Sequence, residues 1–305
     1  MHTPGGIATR VLVAVLAVVA VLATGCSDRD YSQKTPDDVI RTAKLMVERG
    51  EARRLGGLIY AENDEMRKVL HNVGVLMGNL QRLGQAVSEH FPQEVDALKS
   101  RAKQAADSGK ATSLLSQIAA QASGNQGRVS RRAARDPEKW RREQRQREEQ
   151  FGDSLKMLFA DPYGFLEQSA GRISTLPLTD DTAAVLWDGK TVLPPLGVVM
   201  RRGADGKWYV VPPINIPGFA NFLPQTAQEY KVFGALIAII NNVIVDLARD
   251  VREKRITDID DLSRKAGEKA FMPAAMGYVA YSNMLEERRK RAAATKQATP
   301  PATPR

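Results

Sequence analysis

The feature that most constrains the fold is a change of pattern between residues 172 and 212. There, helical spacing gives way to four short runs of β-forming residues, and Asp188-Gly189 and the sequence GADGK mark turns between them. The runs are RISTLPL, TAAVLWDG, LGVVMRR and KWYVVPP. Consecutive short strands joined by tight turns form an antiparallel sheet. We therefore predict an α+β fold that is helix-rich, with one small antiparallel sheet (about 172–212) packed by N-terminal and C-terminal helices. A purely helical adaptor is the alternative, and it requires that these runs do not pair.

Helix signals precede these runs. Thr35, Pro36 and Asp38 form the start of a capped helix that ends at Gly50, and a second short helix follows it. Apolar residues recur at helical spacing from about Asp64 to His90. Gly74 and Gly78 lie one turn apart in that helix and predict close packing against a neighbouring helix.

Helix signals return after residue 226. The segment Phe233–Leu247 is apolar on nearly all sides, so we expect it to be buried between other elements. It is short and interrupted by Asn241-Asn242, which argues against a membrane span. Two further helices are expected, one capped at Thr257 and one starting near Pro273.

The N-terminal segment has the pattern of an export signal. Arg10 precedes thirteen apolar residues, Val11–Ala23, and small residues follow. Leu22-Ala23-Thr24-Gly25-Cys26 then resembles the lipobox of bacterial lipoproteins, although Ala23 stands where Leu is commonest. The resemblance implies cleavage before Cys26 and lipidation of its thiol with diacylglycerol and further acyl chains such as palmitate. It also implies a periplasmic or extracytoplasmic location, and Ser27 after the cysteine favours the outer membrane over the inner one.

The domain boundaries follow from this assignment. We expect a signal peptide at 1–25, a tether at 26–34, an α+β domain at 35–291 with a helical insertion (about 63–160), and a disordered tail at 292–305. Cys26 is the only cysteine, so no disulfide can form within the chain.

A second resemblance concerns the mature chain. The phrase at Thr35–Tyr60 and the late DGKWYV strand, within Arg172–Pro213, are similar to the nuclear transport factor two-like cone superfamily. The resemblance implies a sheet whose concave face meets the first helices, with a possible pocket between them.

Basic charge is concentrated in one stretch. The chain has a formal net charge of +9, and Arg128–Arg147 holds nine Lys and Arg against three Asp and Glu. Acid-first i,i+4 pairs within it are typical of a solvated helix. Its expected partner is an envelope protein or an anionic cell-wall or lipid surface, and no nucleic acid is expected.

The sequence contains few signals of catalysis or cofactor binding. No GxSxG, GxGxxG, P-loop or HExxH motif is present, no cofactor or metal is expected, and we place no catalytic residue. Asp258, Asp260 and Asp261 lack the pattern of a calcium loop and favour helix N-terminal compensation. His90 suits a helix C-terminus, and His71 is expected to be partly buried. The residues of a possible pocket are Trp187, Trp208, Tyr209 and His71, although cross-strand core packing is the favoured explanation of the three aromatic residues in the sheet.

These observations predict a lipid-anchored bacterial envelope protein with a non-enzymatic binding or assembly role. The alternative is a hydrolase or isomerase that uses a pocket on a cone-like fold.

Overall fold

A computed structural model describes residues 31–107, 138, 141–142, 152, 155–164, 170–191, 198–212 and 223–298. The folded unit begins at Gln33. Its helices are α1 (Pro36–Glu48), a 3-10 segment (Ala52–Leu58), α2 (Asp64–His90), α3 (Pro92–Asp107), a 3-10 turn (Ala170–Arg172), α4 (Ala227–Arg252) and α5 (Ile259–Ala298). Its strands are β1 (Ile173–Thr179), β2 (Thr182–Trp187), β3 (Lys190–Thr191), β4 (Val198–Arg202) and β5 (Trp208–Val211).

The start of α1 has the predicted capping box. Thr35 Oγ1 accepts a hydrogen bond from the Asp38 amide at 3.1 Å, and Asp38 Oδ2 accepts one from the Thr35 amide at 3.2 Å. These bonds satisfy backbone donors that a helix start leaves without partners. Pro36 lacks an amide hydrogen and fits the first turn. The local signal therefore fixed this helix start, and the prediction is confirmed.

The glycines of α2 allow a close approach, as predicted, and the partner is the 3-10 segment. A Cβ built on Gly78 would lie 2.9 Å from the Arg53 Cβ, and one built on Gly74 would collide with the Arg53 carbonyl oxygen. Gly56 of the 3-10 segment faces the backbone of α2 at Leu70 in the same way. The Gln81 amide joins the two elements further, because it accepts from the Ala52 amide and donates to the Val47 carbonyl.

The predicted α+β class is confirmed by one antiparallel sheet in the order β1-β2-β4-β5, with β3 paired to β2. This pairing excludes the purely helical adaptor. Asp188 and Gly189 have φ angles of 50° and 73°, the left-handed conformations that a two-residue hairpin turn between β2 and β3 requires. Helix α1 packs against β1 and β5, and the 3-10 segment borders β5.

Both edges of the sheet are protected. The outer edge of β5 is bonded to Gln33, which exchanges two bonds with Trp208, and to the Tyr60 amide, which donates to the Val210 carbonyl at 2.8 Å. On the other edge, β1 carries Pro177. A proline has no amide hydrogen to offer to an added strand, so it suits an edge position.

The largest core lies among the helices rather than at the sheet. It joins α2, α3, α4, the start of α5 and the helical residues 155–160, with Leu83, Val87, Leu247, Val251 and Leu262 at its fully buried centre. Within this packing, Asn79 of α2 donates a 2.7 Å hydrogen bond to Asn241 of α4. The C-terminal helices thus join the domain mainly through α2.

The expectation that the α4 segment is buried between other elements is wrong. Helix α4 is amphipathic, with Ile237, Ile244 and Leu247 buried while Ile240 and Val245 are each 42% exposed. By length and composition it could cross a membrane, and only 33% of its most apolar window is buried. The two Asn residues do not interrupt the helix, because Asn241 finds a partner in Asn79.

The C-terminal helices also differ from expectation. Instead of two helices, α5 is continuous and contains Pro273 in its interior. Its start is capped by Asp258 rather than Thr257, since the Asp261 amide donates to Asp258 Oδ1 at 2.7 Å. It extends to Ala298, past the boundary of the tail expected to begin at residue 292.

Candidate interaction surface

Two of the predicted functional features fall on residues whose structure is not described. Cys26 lies outside the described residues, as does most of Arg128–Arg147. Within that basic stretch, Glu138, Arg141 and Arg142 are helical and exposed. The lipidation of Cys26 and the binding role of the basic stretch stay predictions.

The aromatic residues proposed for a pocket are divided between the two faces of the sheet. The strand register places Trp187 and Trp208 on one face with Ala183 and Met200, while Tyr209 points to the opposite face, because successive side chains alternate along a strand. Trp208 is buried, as core packing requires. Trp208 and Tyr209 therefore do not line one pocket together.

Both histidines lie on α2. His71 is exposed rather than partly buried, so that expectation is wrong, and it makes no hydrogen bond to a carboxylate among the described residues. His90 lies in the last turn, where its Nδ1 is 2.9 Å from the Ala86 carbonyl oxygen. Its position at the helix C-terminus is the one predicted.

Tyr209 belongs to a small polar cluster on the outer face of the sheet. Its hydroxyl donates to Asp205 at 2.7 Å, and its ring meets the Tyr60 ring edge-on with centroids 6.2 Å apart. Arg201 lies 5.3 Å above the Tyr60 ring. Burial, followed by the hydrogen bond to Asp205, raises the pKa of Tyr209 to about 12. Tyr209 is therefore a neutral hydrogen-bond donor over the physiological pH range.

The acidic cluster at the start of α5 serves the helix, as predicted. Asp258 caps it, Asp261 accepts from the Thr257 amide at 3.3 Å, and Asp260 pairs with Lys156 at 2.6 Å. These negative charges lie at the positive end of the helix dipole. Within the described ranges, no group of three or more His, Cys, Asp or Glu side chains is placed to hold a metal.

Helices α4 and α5 form an antiparallel hairpin that is clamped at both ends by ion pairs. At the open end, Glu229 of α4 pairs with Arg288 of α5 at 2.6 Å. At the closed end, Asp250 pairs with Lys269 of α5 at 2.6 Å and with Arg255 at 3.1 Å. The hydrogen bond from Lys269, followed by the charges of Lys269 and Arg255, lowers the pKa of Asp250.

The Glu229 side chain is only 3% exposed and is hydrogen-bonded. Its Oε2 accepts from the Gln225 amide at 2.7 Å, from the Thr226 amide at 3.4 Å and from Arg288. Arg288 also donates to the Leu223 carbonyl at 3.1 Å. Because a buried carboxylate is costly without partners, this capping residue depends on the arginine of the other helix.

Between the two clamps, the hairpin exposes large apolar side chains that we call the apolar band. Their exposed fractions are 42% for Ile240 of α4 and, on α5, 61% for Met272, 70% for Met276, 64% for Tyr278 and 56% for Val279. Contacts between Leu236 and Gly277, and between Phe233 and Tyr281, place Ile240 level with about Pro273, next to Met272. A contiguous exposed apolar surface of this kind is characteristic of an interaction site.

Sequence reasoning missed the apolar band, although a signal for it exists. Residues 270–285 contain no Asp, Glu, Lys or Arg, and the segment 232–245 of α4 contains none either. One helix can cover only one side of another, so two such segments paired in a hairpin leave apolar residues exposed. Locating the band required knowing that α4 and α5 pair and that α4 covers a single side of α5.

Comparisons with known proteins gave no match: no family model, no curated protein and no solved structure is significantly similar to this chain.

Proposed function

We propose that this chain is a lipid-anchored protein of the bacterial envelope that acts by binding another protein, not by catalysis. The observation that supports the binding role is the apolar band, which is exposed between two clamps that hold its helices in register. When a partner covers large apolar side chains that are this exposed, their removal from water lowers the free energy of the complex.

The resemblances supply the remaining parts of the proposal. The lipobox-like sequence at Cys26 supports acylation, and Ser27 supports the outer membrane as the destination. The packing of α1 against β1 and β5 is what the cone superfamily would require, and it supports a relationship to that superfamily.

Membrane fractionation of the full chain tests the anchor. We expect the wild type to incorporate labelled fatty acid and to sediment with membranes, and Cys26→Ser to lose the label and signal cleavage. Ser32→Ala is the matched control and should behave as wild type. Continued fatty-acid labelling of Cys26→Ser would contradict the proposal.

The size of the detergent-extracted protein tests the binding role. We expect an assembly larger than one protomer that Met276→Asp reduces to a monomer, because a buried charge without a partner opposes association. Lys68→Asp, at an exposed position of α2, is the control and should leave the assembly intact. A wild type that is monomeric in mild detergent would contradict the binding role.

A further inference from the structure

We infer that the partner of the apolar band is a second copy of this chain, and that two copies pair through antiparallel α5 helices about a two-fold axis between Ala275 and Met276. This inference rests on the proposed function, because it names the partner of the same surface.

The exposed area suits a dimer of this kind. A tyrosine or methionine exposed at the fractions found here contributes on the order of 100 Å². The four residues of the apolar band that lie on α5, with the exposed Ala275 between them, therefore supply about 400 Å² or more from each copy. A stable interface needs about 800 Å² from each partner, and polar residues at the rim commonly supply the remainder.

The outer side of α5 is self-complementary in charge. Glu268, Met272, Val279 and Glu286 lie along this outer side, opposite the buried Leu262, Ala266, Tyr281 and Leu285. With the two-fold axis between Ala275 and Met276, Lys265 lies level with Glu286 of the other copy.

The same axis avoids repulsion at the other facing positions. Glu268 lies level with the neutral Asn283, and Met272 lies level with Val279. A parallel arrangement in register would place each of these charges against its own kind, which costs free energy.

A lipid surface explains the apolar band less well. Met272, Met276 and Val279 share their side of α5 with Glu268 and Glu286, and anionic lipid headgroups repel carboxylates. Lys265 of another copy matches the charge of Glu286 and the neutral Asn283 accommodates Glu268, whereas a membrane accounts for neither acidic residue.

Disulfide trapping in native membranes tests the pairing with the full chain. Met276→Cys lies beside the proposed axis, so we expect oxidation to convert most of it to a species of twice the protomer mass. Lys68→Cys is the exposed control, and it should give at least tenfold less of that species, as should the chain with no added cysteine.

Three results of this experiment would overturn self-pairing. Equal trapping at positions 276 and 68 would show random collision. An adduct of another mass would show a different protein partner and would leave the proposed function standing. Protection of the Met276→Cys thiol from a water-soluble maleimide, with no protein adduct, would show burial in the membrane and would overturn both proposals.

A charge exchange provides a second test that does not depend on disulfide geometry. Glu286→Lys places a lysine against Lys265 of the other copy, so we expect the dimer dissociation constant in detergent to rise about tenfold. Lys265→Glu combined with Glu286→Lys should restore it. Glu287→Lys makes the same charge change about 100° around the helix and should have little effect. Equal weakening by Glu286→Lys and Glu287→Lys would refute the proposed register.

Discussion

The ion pair between Glu229 and Arg288 gives the sharpest stability prediction. Arg288→Ala removes the charged partner of a carboxylate that is 3% exposed and leaves it with the amide donors of Gln225 and Thr226. Breaking a buried pair from one side typically costs about 3–5 kcal/mol. Because the Arg288 side chain is 18% exposed, we expect a loss of about 3 kcal/mol in the free energy of unfolding at pH 7. A chain of this size should then melt about 6–12 °C lower.

The cause of this loss can be separated from lost packing. In the Glu229→Gln background the buried charge is gone while the capping acceptor remains, so Arg288→Ala should cost only about 1 kcal/mol. Lys290→Ala is the matched control, since its pair with Glu286 is exposed and should contribute little to stability. Urea unfolding followed by circular dichroism measures all four variants. The same cost for Arg288→Ala in both backgrounds would refute the argument from an unpaired buried carboxylate.

Three further predictions concern the same unfolding measurement. Gly74→Ala should lower the free energy of unfolding by about 2 kcal/mol, because its Cβ meets the Arg53 carbonyl oxygen. Gly57→Ala, which has open space around it, should change this free energy by less than about 0.5 kcal/mol. Similar values for the two variants would contradict the close approach. Thr35→Ala removes a capping bond and should cost about 1 kcal/mol, and no loss would show that the cap is dispensable. Asp250 has a lowered pKa in the folded state, so its stabilisation is complete above its unfolded pKa of about 3.9 and is lost as the pH falls through the folded value. Asp250→Asn should therefore be less stable than wild type at pH 7 and lose less stability on acidification, and parallel pH profiles would refute this.

Local signals in the sequence were sufficient for the start of α1 and for the sheet. The capping box at Thr35 and the turn at Asp188-Gly189 depend on residues within four positions of one another, so no tertiary information is needed. The close approach at Gly74 was also predictable, because only glycine permits it. The element that packs against Gly74 was not predictable, since a 3-10 segment and an α-helix require the same glycine spacing in α2.

Most of the features that sequence reasoning missed depend on tertiary packing. The burial of α4 was overestimated because its apolar composition does not say that packing covers only one side of it. The continuation of α5 through Pro273 depends on its packing along α4, which outweighs the loss of one helical hydrogen bond. The proposed pocket combined Trp208 with Tyr209, but alternation along β5 separates them.

The two clamps of the α4–α5 hairpin also determine how the helices can move. Sliding α5 along α4 by one turn, about 5.4 Å, would separate Glu229 from Arg288 and Asp250 from Lys269 at the same time. Each separation would leave a buried carboxylate without its cationic partner. A shift of less than one turn is therefore as unfavourable as a shift of a full turn. The hairpin therefore has a fixed register. A partner that binds between the clamps meets one spacing of side chains, and helix sliding does not change its affinity.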